Sequence, residues 1–211
     1  LKYYEESLKI YKELNIPQHI ATSLNNIGMV YSSLGSYEDA LKYYEESLKI
    51  DRELNIPQDI ATSLINMGWV YICLKDYTKA EELFKEAEIK KQSLGLKYTI
   101  NHSMVELCLA TKRYDEALRM LEKKTPSLSD TPGYQIQYFT QRGRAFKGIN
   151  SLKEASGDFL KAAILIEEMR AGIKGEKAGF LGVKKRIEAY QGLFSSLSER
   201  ALKGEEKDKD F

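Results

Sequence analysis

Residues 1–40 read LKYYEESLKIYKELNIPQHIATSLNNIGMVYSSLGSYEDA, and residues 41–80 read LKYYEESLKIDRELNIPQDIATSLINMGWVYICLKDYTKA. The two lines differ only at positions 11, 12, 19, 25, 27, 29, 32, 33, 35, 36, 38 and 39 of the forty. Self-similarity at a fixed period of this size outranks any local motif, because it marks a unit that cannot bury its own apolar face. Such units stack on their neighbours into a quasi-one-dimensional array, and arrays of this kind act by presenting an extended surface. Within the first copy Tyr4, Leu8 and Tyr11 fall at helical spacing, and so do Ile20, Leu24, Ile27 and Tyr31. Asn15-Ile16-Pro17-Gln18 and its repeat Asn55-Ile56-Pro57-Gln58 interrupt the pattern, since proline cannot continue a helix. The expected fold class is all-α, a solenoid of antiparallel helix pairs.

Outward from this core, the spacing predicts helices over residues 1–14, 19–34 and 37–54, then one ending near 74 that Asp59 caps or opens as a first-turn acid. Further helices are expected over 77–94, 98–112, 114–124, 134–148 and 152–173. The array is therefore expected to span 1–170, divided as 1–18 (the second helix of a truncated repeat), 19–58, 59–97, 98–124 and 134–170. A long capping helix follows within 171–202, with Phe180, Val183, Ile187, Tyr190, Phe194 and Leu197 on one face. Residues 203–211 alternate charges without apolar residues until the last and read as tail or linker. Because the first helix has no partner before it, the parent polypeptide is expected to extend N-terminally.

Lys+Arg of 32 against Asp+Glu of 31 leaves a net charge of +1, which gives no basis for nucleic acid or an anionic membrane as partner. No run of eighteen apolar residues and no signal-peptide core is present. Cys73 and Cys108 sit inside apolar helical patterns and are expected to be buried, reduced thiols, which fits a cytoplasmic setting. No CxxC or HxxxH spacing supplies a metal-ligand set, and no glycine-rich phosphate loop is present, so no cofactor is expected. His102 and Cys108 are six residues apart, about 120° around a helix axis, and do not form a dyad. Pairing His102 with Cys73 would lack an orienting third group. The chain is not expected to be an enzyme.

Leu24, Gly28, Tyr31, Ala40, Tyr44 and Ser47 of one unit, with Gly68, Tyr71, Ala80, Phe84 and Ala87 of the next, resemble the tetratricopeptide repeat in a form of about 40 residues. Phe139, Gly143, Phe146, Ala155 and Phe159 keep the pattern in the fourth unit, whereas the third has Val105 and Cys108 at its glycine and tyrosine positions. The resemblance implies a right-handed superhelix that binds proteins or peptides in a concave groove lined by the first helix of each pair. Residues 166–170 (IEEMR), followed by Phe180-Leu181, Lys184 and Tyr190, are similar to the segment joining such arrays to a caspase-like CHAT domain. That similarity implies a regulatory arm of a protease; an alternative is a receptor for a short signalling peptide controlling an attached effector.

By resemblance the groove positions of the first copy are Thr22, Asn25, Met29, Ser32 and Ser33, and those of the second are Thr62, Ile65, Trp69, Ile72 and Cys73. Four of the five differ between copies, while the core positions hardly change. Drift at exposed positions is one explanation. Against it, the second copy moves toward Trp and Ile, which exposed positions do not favour. The expected partner-binding groove is apolar at Ile65, Trp69 and Ile72, flanked by Asn25 and Met29. His102 and Glu106 lie to the other side, with Arg144 and Lys147 further along for the polar ends of a bound segment.

Overall fold

The computed structural model describes residues 1–95, 102–123, 125–127, 130–172 and 183–203, apart from the side chains of 172 and 183–186. Its helices are α1 (Lys2–Glu13), α2 (Pro17–Ser33), α3 (Tyr37–Glu53), α4 (Pro57–Cys73), α5 (Tyr77–Gln92), α6 (His102–Ala110), α7 (Tyr114–Glu122), α8 (Pro132–Gly148), α9 (Leu152–Gly172) and α10 (Val183–Leu202). Two compact units divide the chain, Leu1–Leu107 and Cys108–Phe211. In the first, α2 packs on α3, α4 on α5, and α3 on α4. These antiparallel pairs stack as a right-handed all-α solenoid. In the second unit α8 packs on α9, and the long C-terminal α10 packs on both. The stretch 173–182, the tail beyond 203 and residues 96–101 lie outside the described residues, and with them Phe180 and Leu181.

The breaker segments are more economical than a simple interruption. Asn15 and Asn55 take left-handed φ values of 53° and 52°, a conformation asparagine tolerates. The Ile56 N–H then reaches back to the Asp51 carbonyl at 3.1 Å, and the Asn55 N–H to Arg52 at 3.1 Å, so the last turn of α3 is satisfied. Pro57 immediately opens α4, where its missing N–H removes no hydrogen bond. The second helix of the expected pattern thus starts at Pro17 rather than residue 19, and α8 starts at Pro132 rather than 134. Asp59 sits in the first turn of α4 and is not the cap. The turn after α2 has Gly35 at φ 79°, while the matching Lys75 after α4 is forced to φ 63°.

Close packing explains the glycines of the repeat pattern. A Cβ on Gly28 would lie 2.8 Å from the Tyr44 ring, and one on Gly68 would lie 2.3 Å from Phe84. In the second unit Gly143 faces Phe159 at 3.0 Å in the same way. Ala40, Ala80 and Ala155 are fully buried, and Tyr31 and Tyr71 pack at the edge of the first unit's core beside Leu64 and Val70. Val105 and Cys108, which replace glycine and tyrosine in the third unit, are also fully buried.

One expectation is corrected. Cys108 is buried, but Cys73 is exposed, because it falls in the last turn of α4 beyond the packed interior. On α10 the apolar residues grouped on one face are turned outward at Ile187, Tyr190 and Phe194, which are 46%, 39% and 76% exposed, while Leu197 is half-buried. The inward face is Ala189, Gly192, Ser196 and Arg200. The reason is steric. A Cβ at Gly192 would lie 2.4 Å from Phe159 of α9, so only a small-residue face lets the two helices approach. Arg200 Nη1 donates to Ser156 Oγ at 3.1 Å, and the Tyr190 hydroxyl donates to the Glu167 carboxylate.

The second unit also carries an ion pair that periodicity does not reveal. Arg142 meets Asp158 through two parallel hydrogen bonds of 2.6 and 2.7 Å, joining α8 to α9. The guanidinium also donates to Tyr138 Oη at 3.1 Å and lies 5.1 Å from that ring's centroid. Hydrogen bonding to Asp158 pushes the arginine pKa further above its ordinary value.

Candidate functional site

The face marked by the differences between the two copies is carried by α2 and α4 of the first unit. Asn25 ties these helices together: its Nδ2 donates to Ser63 Oγ at 2.8 Å, and its Oδ1 accepts from Asn66 Nδ2 at 2.8 Å. Both polar ends of this side chain therefore have partners within the fold. On α4, Ile65, Trp69 and Ile72 are half-buried against Ala80, Phe84 and Leu107, with Met104 of α6 beside them. The Trp69 ring meets Phe84 edge-on, with centroids 6.1 Å apart and planes at 66°. Trp69 is thus held by the core and still open on one side. Met29 on α2 is 47% exposed. His102 and Glu106, both half-buried, come from α6.

Arg144 and Lys147 belong to the second unit, where they line a surface cavity of about 380 Å³ with Leu109, Tyr114 and Gly148. Lys147 Nζ is 2.8 Å from Glu199 and 2.8 Å from Ser195 Oγ, both on α10. Its charge is already matched within the unit. The nine expected groove residues therefore divide: Asn25, Met29, Ile65, Trp69, Ile72, His102 and Glu106 fall in the first unit, and Arg144 and Lys147 in the second.

The groove reading of the sequence passed over a polar cavity of about 140 Å³ enclosed by α2, α3 and α4. Its deepest residues are Ser47 and Asp51, and Thr22 and Thr62 form its exposed rim. The signal was present in the doubled sequence: two of its carboxylates, Asp51 and Asp59, stand where the first copy has Tyr11 and His19. Among the described residues no group of three His, Cys, Asp or Glu side chains could hold a metal ion. No helix among them is long and apolar enough to cross a membrane.

Comparison with known proteins agrees with this geometry. The family model for the tetratricopeptide repeat matches residues 1–53 and 20–88. No curated protein matches the sequence. Among solved structures, BtubC (BKLC) from P. vanneervenii aligns with a TM-score of 0.65 at 20% identity, covering 82% of this chain and 74% of that one. MamA 41-end from Desulfovibrio magneticus RS-1 aligns with a TM-score of 0.50 at 23% identity, over 86% and 96% of the two chains. YrrB, described as a TPR protein with an unusual peptide-binding site, aligns with a TM-score of 0.50 at 17% identity, over 94% and 97%. With the repeats matched across residues 1–88 and their helix-pair packing on the page, that part of the chain is a tetratricopeptide-repeat solenoid, of the type that serves as a protein–protein interaction scaffold.

Proposed function

We propose that the first unit binds a peptide or protein segment along the face formed by α2 and α4. One observation carries the reading: Trp69, flanked by Ile65 and Ile72, is braced edge-on by Phe84 and left half-open, with exposed Met29 on the neighbouring helix. A rigid aromatic anchor beside an adaptable methionine is the composition that binding surfaces favour. The YrrB peptide-binding site gives a precedent on a solenoid of the same fold. The polar ends of a bound segment, expected at Arg144 and Lys147, are not needed for this reading, since Lys147 is already paired with Glu199.

The test is to select peptides against the purified chain and titrate them while following the emission of Trp69, the only tryptophan. Trp69→Ala is expected to weaken selected peptides at least tenfold with the far-UV spectrum unchanged. Peptides that bind Trp69→Ala as tightly as the parent would refute the groove. Attachment to a CHAT protease and service as a signalling-peptide receptor are finer readings of the same scaffold. A caspase-like domain on the same polypeptide would support the first, and an effector domain that answers to a bound peptide the second.

A further inference from the structure

The cavity between α2, α3 and α4 has an unusual polarity. Asp51, 2% exposed, forms part of its floor. Its Oδ2 accepts from Ser63 Oγ at 3.2 Å, with Ser47 Oγ at 3.4 Å, and its Oδ1 accepts no hydrogen bond from any described residue. No Lys, Arg or His among the described residues pairs with Asp51 or with Asp59. Burial pushes the Asp51 carboxyl above its usual range; the Ser63 hydrogen bond partly offsets this, and the neighbouring charge of Asp59 adds to it.

The hydroxyls around it have their protons committed elsewhere. Thr22 donates to the Gln18 carbonyl at 2.9 Å, Thr62 to Gln58 at 2.9 Å, and Ser47 to Ala21 at 2.8 Å. What these groups turn to the cavity is lone pairs. Among the side chains, the amides of Asn25 and Asn26 add donors to the lining. A space with two carboxylates, three acceptor hydroxyls and no cation calls for a positively charged hydrogen-bond donor.

The doubled sequence points the same way. In the first copy the corresponding positions hold Tyr11 and His19, whose rings meet edge-on at 4.7 Å. The two residues that touch each other there have both become aspartate in the second copy, in a background where most positions are unchanged.

We infer that this cavity is a receptor for a primary ammonium group, supplied by a lysine side chain of the segment bound along α2 and α4. About 140 Å³ is several times the space of one water, enough for an ammonium and its neighbouring methylenes. The rim residue Thr62 and the anchor Trp69 are two turns apart on one face of α4, about 10 Å along its axis. An extended peptide spans that distance in about three residues, so the partner carries Lys-x-x-apolar. The ammonium receptor stands on the cavity alone; assigning its ligand to a partner's lysine rests on the proposed groove.

The experiment is a titration of the whole ¹⁵N-labelled chain with n-butylammonium chloride, compared at equal ionic strength with sodium, tetramethylammonium and calcium chlorides. The expected result is a saturable shift of the Asn25, Asn26 and Ser47 amides with n-butylammonium alone. Affinity should fall at least tenfold in Asp51→Asn, and in Asp51→Tyr/Asp59→His, which rebuilds the first copy's aromatic pair. The Asp51→Asn melting temperature should not fall, since a buried charge is removed. No saturable shift, an equal shift in Asp51→Asn, or saturation of the same amides by calcium at lower concentration overturns the receptor. A second arm uses an N-acetylated Lys-Ala-Ala-Leu peptide with the lysine free or Nε-acetylated. Loss of binding on acetylation is expected. Peptide binding indifferent to acetylation overturns the lysine assignment and leaves the groove standing; butylammonium binding without peptide binding overturns the groove and leaves the receptor standing.

Discussion

Replacing Gly68 by alanine tests the helix-pair packing at its tightest point. The added Cβ would lie 2.3 Å from Phe84 Cε1, with two further ring atoms at 2.8 and 2.9 Å. An ordinary contact requires about 3.4 Å or more, so the ring must retreat by about 1 Å, and Phe84 is fully buried in an interior that yields little to such a shift. Overpacking of this kind costs roughly 1–3 kcal/mol, while replacing a helical glycine returns about 1 kcal/mol. The 2.3 Å approach puts the cost at the upper end of that range, so the expected net loss is about 2 kcal/mol. Gly143→Ala provides the control: its Cβ would meet Phe159 at 3.0–3.1 Å, a few tenths of an ångström from comfort, so the helix-propensity gain roughly cancels the strain. Urea denaturation, with m unchanged, measures both. Trp69 adds a local reading, because its ring rests on Phe84, and displacement of Phe84 should shift its emission. A Gly68→Ala chain as stable as Gly143→Ala, with unshifted emission, would refute the close approach of α4 and α5.

Arg142→Met leaves Asp158, 3% exposed, without its partner, and an unpaired buried carboxylate costs about 3–5 kcal/mol; adding Asp158→Asn should recover part of that in the thermal unfolding of the double variant. Lys75→Gly removes a left-handed non-glycine residue at φ 63° and should stabilise by about 1 kcal/mol in urea melts, since Gly35 already fills the twin position. Tyr44 is pushed up to about 12 by burial, from 10.0. Its folded-state pKa is raised, so the unfolded chain ionises first; its contribution is intact below pH 10.0 and is lost as pH rises toward 12. Tyr44→Phe should flatten that alkaline limb, measured as urea midpoint against pH.

The doubled opening made most of the first unit legible, because identical sequence at a fixed period dictates identical helices. Tyr31 could be placed from spacing, and Ala40, Tyr71 and Ala80 from the resemblance to the tetratricopeptide repeat. The exposed face of Ile187, Tyr190 and Phe194 could not, since apolar periodicity names a face but not its neighbour, and here Phe159 admits only Gly192. Helix starts were misplaced by two residues where proline was read solely as a breaker, although the first turn is where it fits best. Of the candidate site, the sequence marked Trp69 and Met29 through divergence between the copies. It gave no means of seeing that Asn25 is held by Ser63 and Asn66, or that Lys147 is held by Glu199. Those partners are 38, 41 and 52 residues away in sequence, brought near only by stacking.

Near-identical repeats run a risk in folding: one copy can dock where its twin belongs. The amide link of Asn25 to Ser63 and Asn66 works against that error. The second copy has Ile65 at the matching place and offers nothing to complete such a link. A chain that seated α4 in the berth of α2 would leave those hydrogen bonds unmade, so a single divergent asparagine gives the duplicated helices an address.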